Sequence, residues 1–487
     1  LSDRKPISCR LHYRRIQTGA TLRGLSRVFS RQQYCSILGA NSAVAESGGF
    51  SYWAAEPRDI LELAAEQTDP FRQIENALSR YRLADADANL GRMGLLPSGM
   101  FAGGWIGYFS YEMGRFIERL PERALDDLRL PLIRLCFYDR IIAYDHRDDA
   151  FWIVALELPN DAERPQDKLA SLERRLGECG QARIEESSPV GLGTMDDLTL
   201  MQIRRNMSRQ EYLDAVNRVK RHIRDGDVYQ VNLSHRFQVP FDARPIDLFR
   251  WQSRHNPCGC AAYIDADGFQ IVSTSPEMFV TVRDGRIWTK PIKGTRPRID
   301  GDDPKASRLN ARRFHDLLTS EKEQAELNMI IDLERNDVAR ICKPGTREVV
   351  QPRTIETYPT VYHAVATIAG QLRDDVGLTE ILRAMFPGGS ITGAPKIRAM
   401  EIIEQLEPTA RGVYTGAIGF VGLDASVCLN VAIRTIIITR GSAFVQTGGG
   451  IVADSDPQME WEETLVKAKA LLAGIQAVGA GRVVRQM

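Results

Sequence analysis

Residues 278–289, MFVTVRDGRIWT, contain two β-patterned runs joined by Asp284-Gly285, and this turn constrains the fold more than any other feature. Asp-Gly suits the positive-φ pair of a type I′ turn, which forces the two runs side by side and antiparallel. Runs of the same kind recur: GFQIVSTS, TGAIGFVGL, VCLNVAIRTIIITR and SAFVQT, and before residue 190 YCSILGA, FSYWAAE, GGWIGYFSYE, LIRLCFYDRIIAYD and FWIVALEL. Helical patterns are LAAEQTDPFRQIENALSRYRLAD and QDKLASLERRLGEC, with others near 320–335, 378–385, 396–406 and 457–478. Paired strands followed by long helices, without β-α-β alternation, predict an α+β fold with antiparallel sheets.

The stretch 180–205 lacks a sustained period and reads as a linker, dividing an N-terminal subdomain (1–190) from a catalytic domain (206–478). The second part opens on a well-marked helix, SRQEYLDAVNRVKRHIRDGD. Ser208 and Glu211 form a capping-box pattern, Tyr212, Val216, Val219 and Ile223 line one face, and Asp225-Gly226 ends it.

The chain's 487 residues, 43% hydrophobic, can bury a large core. Lys+Arg and Asp+Glu both count 63, so no net charge argues for nucleic acid or an anionic membrane as partner. No apolar run reaches the ~18 residues of a membrane span. Eight scattered cysteines predict free thiols in a reducing, cytoplasmic compartment. The first 45 residues are rich in arginine, as transit segments are, but IQTGATLRGLSRVF already has the pattern of folded strand and helix.

Three features suggest chemistry. In WTKPIKGTRPR (288–298), a strand runs into a loop constrained by Pro291, Gly294 and Pro297, so Lys293 reads as a surface charge, an anion clamp or a nucleophile. In TSEKEQAELNMIIDLERND, a capping box with Ser320 accounts for Glu323, whereas Glu326 points along the apolar face of Ile330 and Leu333 and needs a cation or donor there. Behind an Asp456 N-cap, Glu460 and Glu463 share one face of the last helix. Two such pairs could hold Mg²⁺; helix-terminus charge is the structural alternative. Finally, FPGGSITGAPK and QTGGGIVADSDP read as glycine-rich turns, either anion seats or simple tight turns.

Taken in order, GDVYQVNLS, STSPEMF, PIKGTRPR, AELNMIIDLERND, FPGGSITGAPKIRAMEIIEQLEP, AIRT, GGGIVADSDP and WEET resemble the chorismate-utilising enzymes. These are the large subunits of anthranilate and aminodeoxychorismate synthases, with isochorismate and salicylate synthases as relatives. The resemblance is dense from about 208 to 475 and thinner before, where GGWIGYFSYEMGRFIERLP is its clearest piece. It implies two intimately packed subdomains with two large antiparallel sheets facing each other, helices outside, and chorismate and Mg²⁺ as ligands.

Within the family, isochorismate-type enzymes carry a water-activating lysine where this chain has Gln230, which disfavours that branch. Anthranilate synthases typically read P-[IL]-A-G-T where this chain has P-I-K-G-T, so the resemblance is to the C4-aminating branch, with Lys293 a nucleophile. The same resemblance implies Glu277 as general acid, Glu326 and Glu463 on the metal, and Glu323 and Glu460 behind them. It places His363 near C4, Arg434 and Tyr414 on the enolpyruvyl carboxylate, and Gly448, Gly449 and Gly450 at an anion seat. Gln230, Thr295, Thr392 and Lys467 are implied substrate-binding positions, with Lys396 a neighbour. No cysteine sits in a G-x-C-x-G-x-Q-like turn, so ammonia is expected from a separate glutaminase subunit. The alternatives are anthranilate formation, or a metabolite sensor without catalysis.

Overall fold

The computed structural model describes residues 5–46, 49–84, 96–179, 202–299, 303–358 and 361–483. Among them the strands form two sheets, of thirteen and ten strands, antiparallel except where Ile7–Ile16 runs parallel to Tyr81–Leu83. The larger begins with Arg204–Arg205, Gln230–Pro240, Ser442–Ile451, Thr435–Thr439, Phe269–Ser275 and Cys260–Ala266. It continues directly into Ser36–Leu38, Phe50–Ala54, Arg140–Asp145, Ala150–Glu157 and Ile7–Ile16. In the smaller, Ala417–Gly422 pairs with Gly104–Phe109 in the same way. Both sheets therefore draw strands from both halves, and the proposed division near 190 is no boundary within them; residues 180–201 of the linker lie outside the described residues. The basic N-terminal stretch is built in, with Ile7–Ile16 and the helix Leu22–Phe29 both formed.

The Asp284-Gly285 hairpin forms as its sequence requires, with φ of +49° and +72° and Arg283 opposite Arg286. It lies in the smaller sheet. The two sheets face each other across an aromatic core: Tyr52 of the larger meets Phe420 of the smaller at 5.6 Å, and Phe269 meets Tyr108 at 6.1 Å, all edge-on. LIRLCFYDRIIAYD is two strands, Ile133–Tyr138 in the smaller sheet and Arg140–Asp145 in the larger, so the chain changes sheets at Asp139.

Two expectations need correcting. Only Pro70–Leu78 of LAAEQTDPFRQIENALSRYRLAD is helical, because Asp69 caps it in a left-handed conformation and Pro70 starts it; Tyr81–Leu83 is already strand. The glycines of QTGGGIVADSDP are not in a turn. They lie in the strand Ser442–Ile451, where Gly448, Gly449 and Gly450 stand opposite Ser234, Leu233 and Asn232. The Ser208–Glu211 capping box closes with both of its hydrogen bonds.

Candidate active site

Pro291 breaks the smaller sheet's ladder between Arg286–Lys290 and Ile292–Pro297. The loop expected after Pro291 is instead this second strand, which pairs with Val361–Gln371 with an irregularity between Ile292 and Thr295. Gly294 there has φ +95°, and a Cβ on it would collide with the Glu323 carboxylate. This bulge holds Lys293 clear of the ladder. Its ammonium makes no hydrogen bond among the described residues. Burial lowers its pKa; Glu326, Glu277 and Glu463 pull it back up and Lys467 pushes it further down. Five sequence-predicted residues thus meet from one strand, two helices and the connection between Phe269–Ser275 and Met278–Arg283.

Gly450 and Gln230 complete the group. A Cβ on Gly450 would sit 3.1 Å from Lys293 Nζ and 3.1 Å from the Gln230 amide, so glycine there leaves room for both side chains. Gln230 is fully buried and neither its Oε1 nor its Nε2 has a hydrogen-bond partner among the described residues. Such a group costs about 1–3 kcal/mol unless something else meets it. Beyond Val445 the glycine strand also loses its second neighbour, Thr435–Thr439, leaving one backbone edge of 446–451 free of strand pairing. Lys467 Nζ donates to Gly448 O there at 2.9 Å.

Glu277 is buried, 4% exposed. Its backbone is pinned, since its N–H donates to Ser275 Oγ at 3.3 Å and its C=O accepts from Val431 N–H at 3.0 Å. Ser390 Oγ donates to its Oε1 at 2.5 Å. Burial pushes the carboxyl up to about 7, against the opposing pull of Ser390, Lys293, the Ile292 N–H and Lys467. A carboxylic acid near neutrality beside a lysine of lowered pKa is chemically suited to act as an acid and a nucleophile.

The four glutamates come from two helix N-termini. Glu323 and Glu326 stand on Glu321–Ala339, Glu460 and Glu463 on Pro457–Val483. Ser320 caps the first helix through the Glu323 N–H, but the Glu323 carboxylate turns to Arg296 at 2.6 Å, so only half of the expected capping box forms. Its other oxygen is buried without a partner. Glu463 pairs with Lys467 at 2.7 Å; burial opposes its ionisation, but Lys467, Lys293 and Lys322 outweigh this and hold it below the usual range. Burial raises Glu460, which accepts from Ser455 Oγ at 2.6 Å and lies against Gly449. No group of three or more metal-type ligands is assembled among the described residues. A pair of carboxylates still suits Mg²⁺, which takes one or two and fills the rest with water and substrate oxygens.

His363 shares a hydrogen bond with Thr295 Oγ1 at 2.8 Å, while its Nε2 is buried and unpaired. Burial, reinforced by Arg434, holds its pKa down to about 3, so the ring is neutral. Arg434, at φ +48°, has no carboxylate partner among the described residues, and burial lowers its pKa. A guanidinium so placed is chemically able to take an anion. Among the described residues no hydrogen bond or ion pair ties Tyr414, Thr392 or Lys396 to Lys293. Tyr414 is hydrogen-bonded to Asn232, Thr392 Oγ1 turns back onto Gly388 O at 3.0 Å, and Lys396 holds Asp337 at 2.6 Å. A cavity of about 560 Å³ lies elsewhere, over Arg218, Arg221 and Arg224.

Sequence reasoning missed Ser390 and Glu334. Both had a signal: Ser390 sits inside the quoted FPGGSITGAPK, and Glu334 falls in register with the buried Leu327, Ile330, Ile331 and Val338.

Comparison with known proteins bears on this arrangement. Residues 41–473 match the family described as chorismate binding enzyme. Aminodeoxychorismate synthase component 1 of Salmonella typhimurium is 38% identical over 455 residues, covering 90% of this chain and 92% of that protein. Anthranilate synthase component 1 1 of Haloarcula marismortui is 36% identical over 443 residues, covering 88% and 86%. The crystal structure of anthranilate synthase component I from Streptococcus pneumoniae superposes with a TM-score of 0.71 at 28% identity, over 87% of this chain and 92% of that one. The menaquinone-specific isochorismate synthase of Escherichia coli (TM-score 0.69, 16% identity, 98% and 97% covered) shares the fold. The chain belongs to the chorismate-binding enzyme family.

Proposed function

We propose that this chain is the chorismate-aminating component of an aminodeoxychorismate synthase, replacing the C4 hydroxyl of chorismate by an amine. The observation that carries this reading is Lys293: an unpaired lysine of lowered pKa set beside the near-neutral acid Glu277. Relatives of both aminating kinds are similarly close, so the distinction rests on this residue.

In the proposed reaction neutral Lys293 attacks C2, the two ring double bonds shift, and the C4 hydroxyl departs as water with the Glu277 proton. Ammonia then adds at C4, the double bonds return, and the lysine leaves. The protons lost by the two attacking amines restore Glu277 and Lys293, so the sum is chorismate plus ammonia giving 4-amino-4-deoxychorismate plus water. Arg434 would hold the enolpyruvyl carboxylate, and neutral His363 would present Nε2 near C4. Glu326 and Glu463 would hold Mg²⁺, with Glu323 and Glu460 behind them. When bound, the ion would seat the ring carboxylate and draw electron density from the conjugated system.

The ammonia source is proposed to be a separate glutaminase. All eight thiols of this chain are raised by burial, Cys9 to about 11 and Cys258 to about 12 among them. An activated thiol is shifted the other way.

Incubation of the pure chain with chorismate and Mg²⁺, plus either ammonium or glutamine, tests the reading. The expected outcome is the 4-amino product with ammonium and none with glutamine. Anthranilate as the main product would replace this reading with the C2-aminating one, and turnover with glutamine would remove the partner.

A further inference from the structure

Glu277 is held by a turn that the reaction itself does not need. Residues Gly389–Ile391 form a single 3₁₀ turn, and every side of it is anchored. Thr392 Oγ1 closes it from within onto Gly388 O and Gly389 O. Ile391 O accepts from both Asn232 Nδ2 and Arg411 Nη1, each at 3.0 Å, and Thr392 O accepts from the Asn232 N–H at 2.7 Å. On the far side a Cβ on Gly389 would lie 2.6 Å from Leu333 Cδ2, so the helix Glu321–Ala339 presses directly on the turn. Only one polar side chain of this turn points at the reacting groups. It is Ser390, 7% exposed, with its hydroxyl on Glu277 Oε1 at 2.5 Å.

We propose that Ser390 is a positioning residue for the acid step, aiming the Glu277 carboxyl at the departing hydroxyl from a turn that cannot move. The inference rests on the reading of Glu277 as the acid, but not on which carbon is aminated, because the C4 hydroxyl leaves in either case. The donor on Oε1 fixes one oxygen of the carboxyl in place. The same hydrogen bond favours the ionised carboxyl and so opposes the effect of burial. The charged and titratable groups around Glu277 are Lys293 on its strand, Lys467 on the last helix and Glu334 on Glu321–Ala339. Burial raises Glu334 as well, to about 8.

Removing the hydroxyl must therefore raise the proton affinity of Glu277. An acid with a higher pKa stays protonated further into the alkaline range, so the alkaline limb of activity moves up, not down. The test is the pH dependence of kcat for Ser390→Ala, Ser390→Cys and Ser390→Thr at fixed free-ammonia concentration. For Ser390→Ala we expect kcat to fall about tenfold, with the alkaline limb displaced upward by about one pH unit. Ser390→Cys, of similar size but a weaker donor, should fall between. Ser390→Thr, which keeps the hydroxyl, should bring the limb back toward the parent. A loss of activity with the limb unmoved in both Ser390→Ala and Ser390→Cys would make Ser390 merely structural and overturn the proposal. If the parent enzyme releases the 2-amino product but the limb still shifts, the proposal stands and only the choice of product is wrong.

Discussion

Glu334 has a carboxyl that the proposed reaction never touches, and its surroundings define a clean experiment. It is 4% exposed, its Oε2 accepts from Thr289 Oγ1 at 2.6 Å, and burial, with Asp337 and Glu277, pushes it up to about 8 from 4.5. The native state therefore keeps a proton that the unfolded chain releases above about 4.5. The stability this provides is complete below that value and is lost as the pH climbs to about 8. Glu334→Gln cannot lose it. The variant's Tm relative to the parent should accordingly rise by a few degrees between pH 5 and pH 8. Equal differences at the two pH values would show that Glu334 does not hold a proton in the native state. Residues of this kind are hard to read from sequence. Lys293 stood out by its setting between Pro291, Gly294 and Pro297, and Glu277 because a resemblance named it, whereas the hydrogen bonds that give Ser390 and Glu334 their roles come from residues 113 and 45 positions away.

The helices Glu321–Ala339 and Pro457–Val483 show what was legible at the level of elements. Their starts were plain: Ser320 and Asp456 cap them as the sequence predicts, through the N–H groups of Glu323 and Met459. What could not be read was where each carboxylate goes afterwards. A capping box sufficed for Glu323 until Arg296 proved to hold it, since a local rule says nothing of a cation brought in by a distant strand. The glycine run 448–450 was misread for a related reason. Glycine signals a turn by default, and its second use, leaving space for side chains from other elements, shows only in three dimensions. If Glu326 and Glu463 hold Mg²⁺, changing either to Gln should weaken Mg²⁺ binding measured by calorimetry with chorismate present. It should also lower turnover about a hundredfold at a fixed Mg²⁺ level. Unaltered binding in both variants would remove them as ligands.

At the scale of the whole molecule, the α+β class and antiparallel sheets follow from hairpin chemistry and the absence of β-α-β alternation, while the facing of two large sheets was implied by the family resemblance. The interleaving of both halves in each sheet follows from neither. Strand pairing across more than two hundred residues, as between Ser36–Leu38 and Cys260–Ala266, leaves no periodic trace in either segment. That interleaving matters for function, because it makes the frame around Lys293 a single body: the smaller sheet supplies Lys293 and His363, the larger Gln230 and Gly450. The central claim is that this frame exists to let Lys293 bond to the ring. Its most direct test is Lys293→Ala, with both amino products quantified from chorismate, Mg²⁺ and ammonium. Covalent catalysis predicts that the 4-amino product falls about a hundredfold or more, with any residual product shifted toward the 2-amino isomer that direct attack of ammonia at C2 would give. Formation of the 4-amino product at the parent rate would contradict the account and return Lys293 to the role of a charge in the cleft.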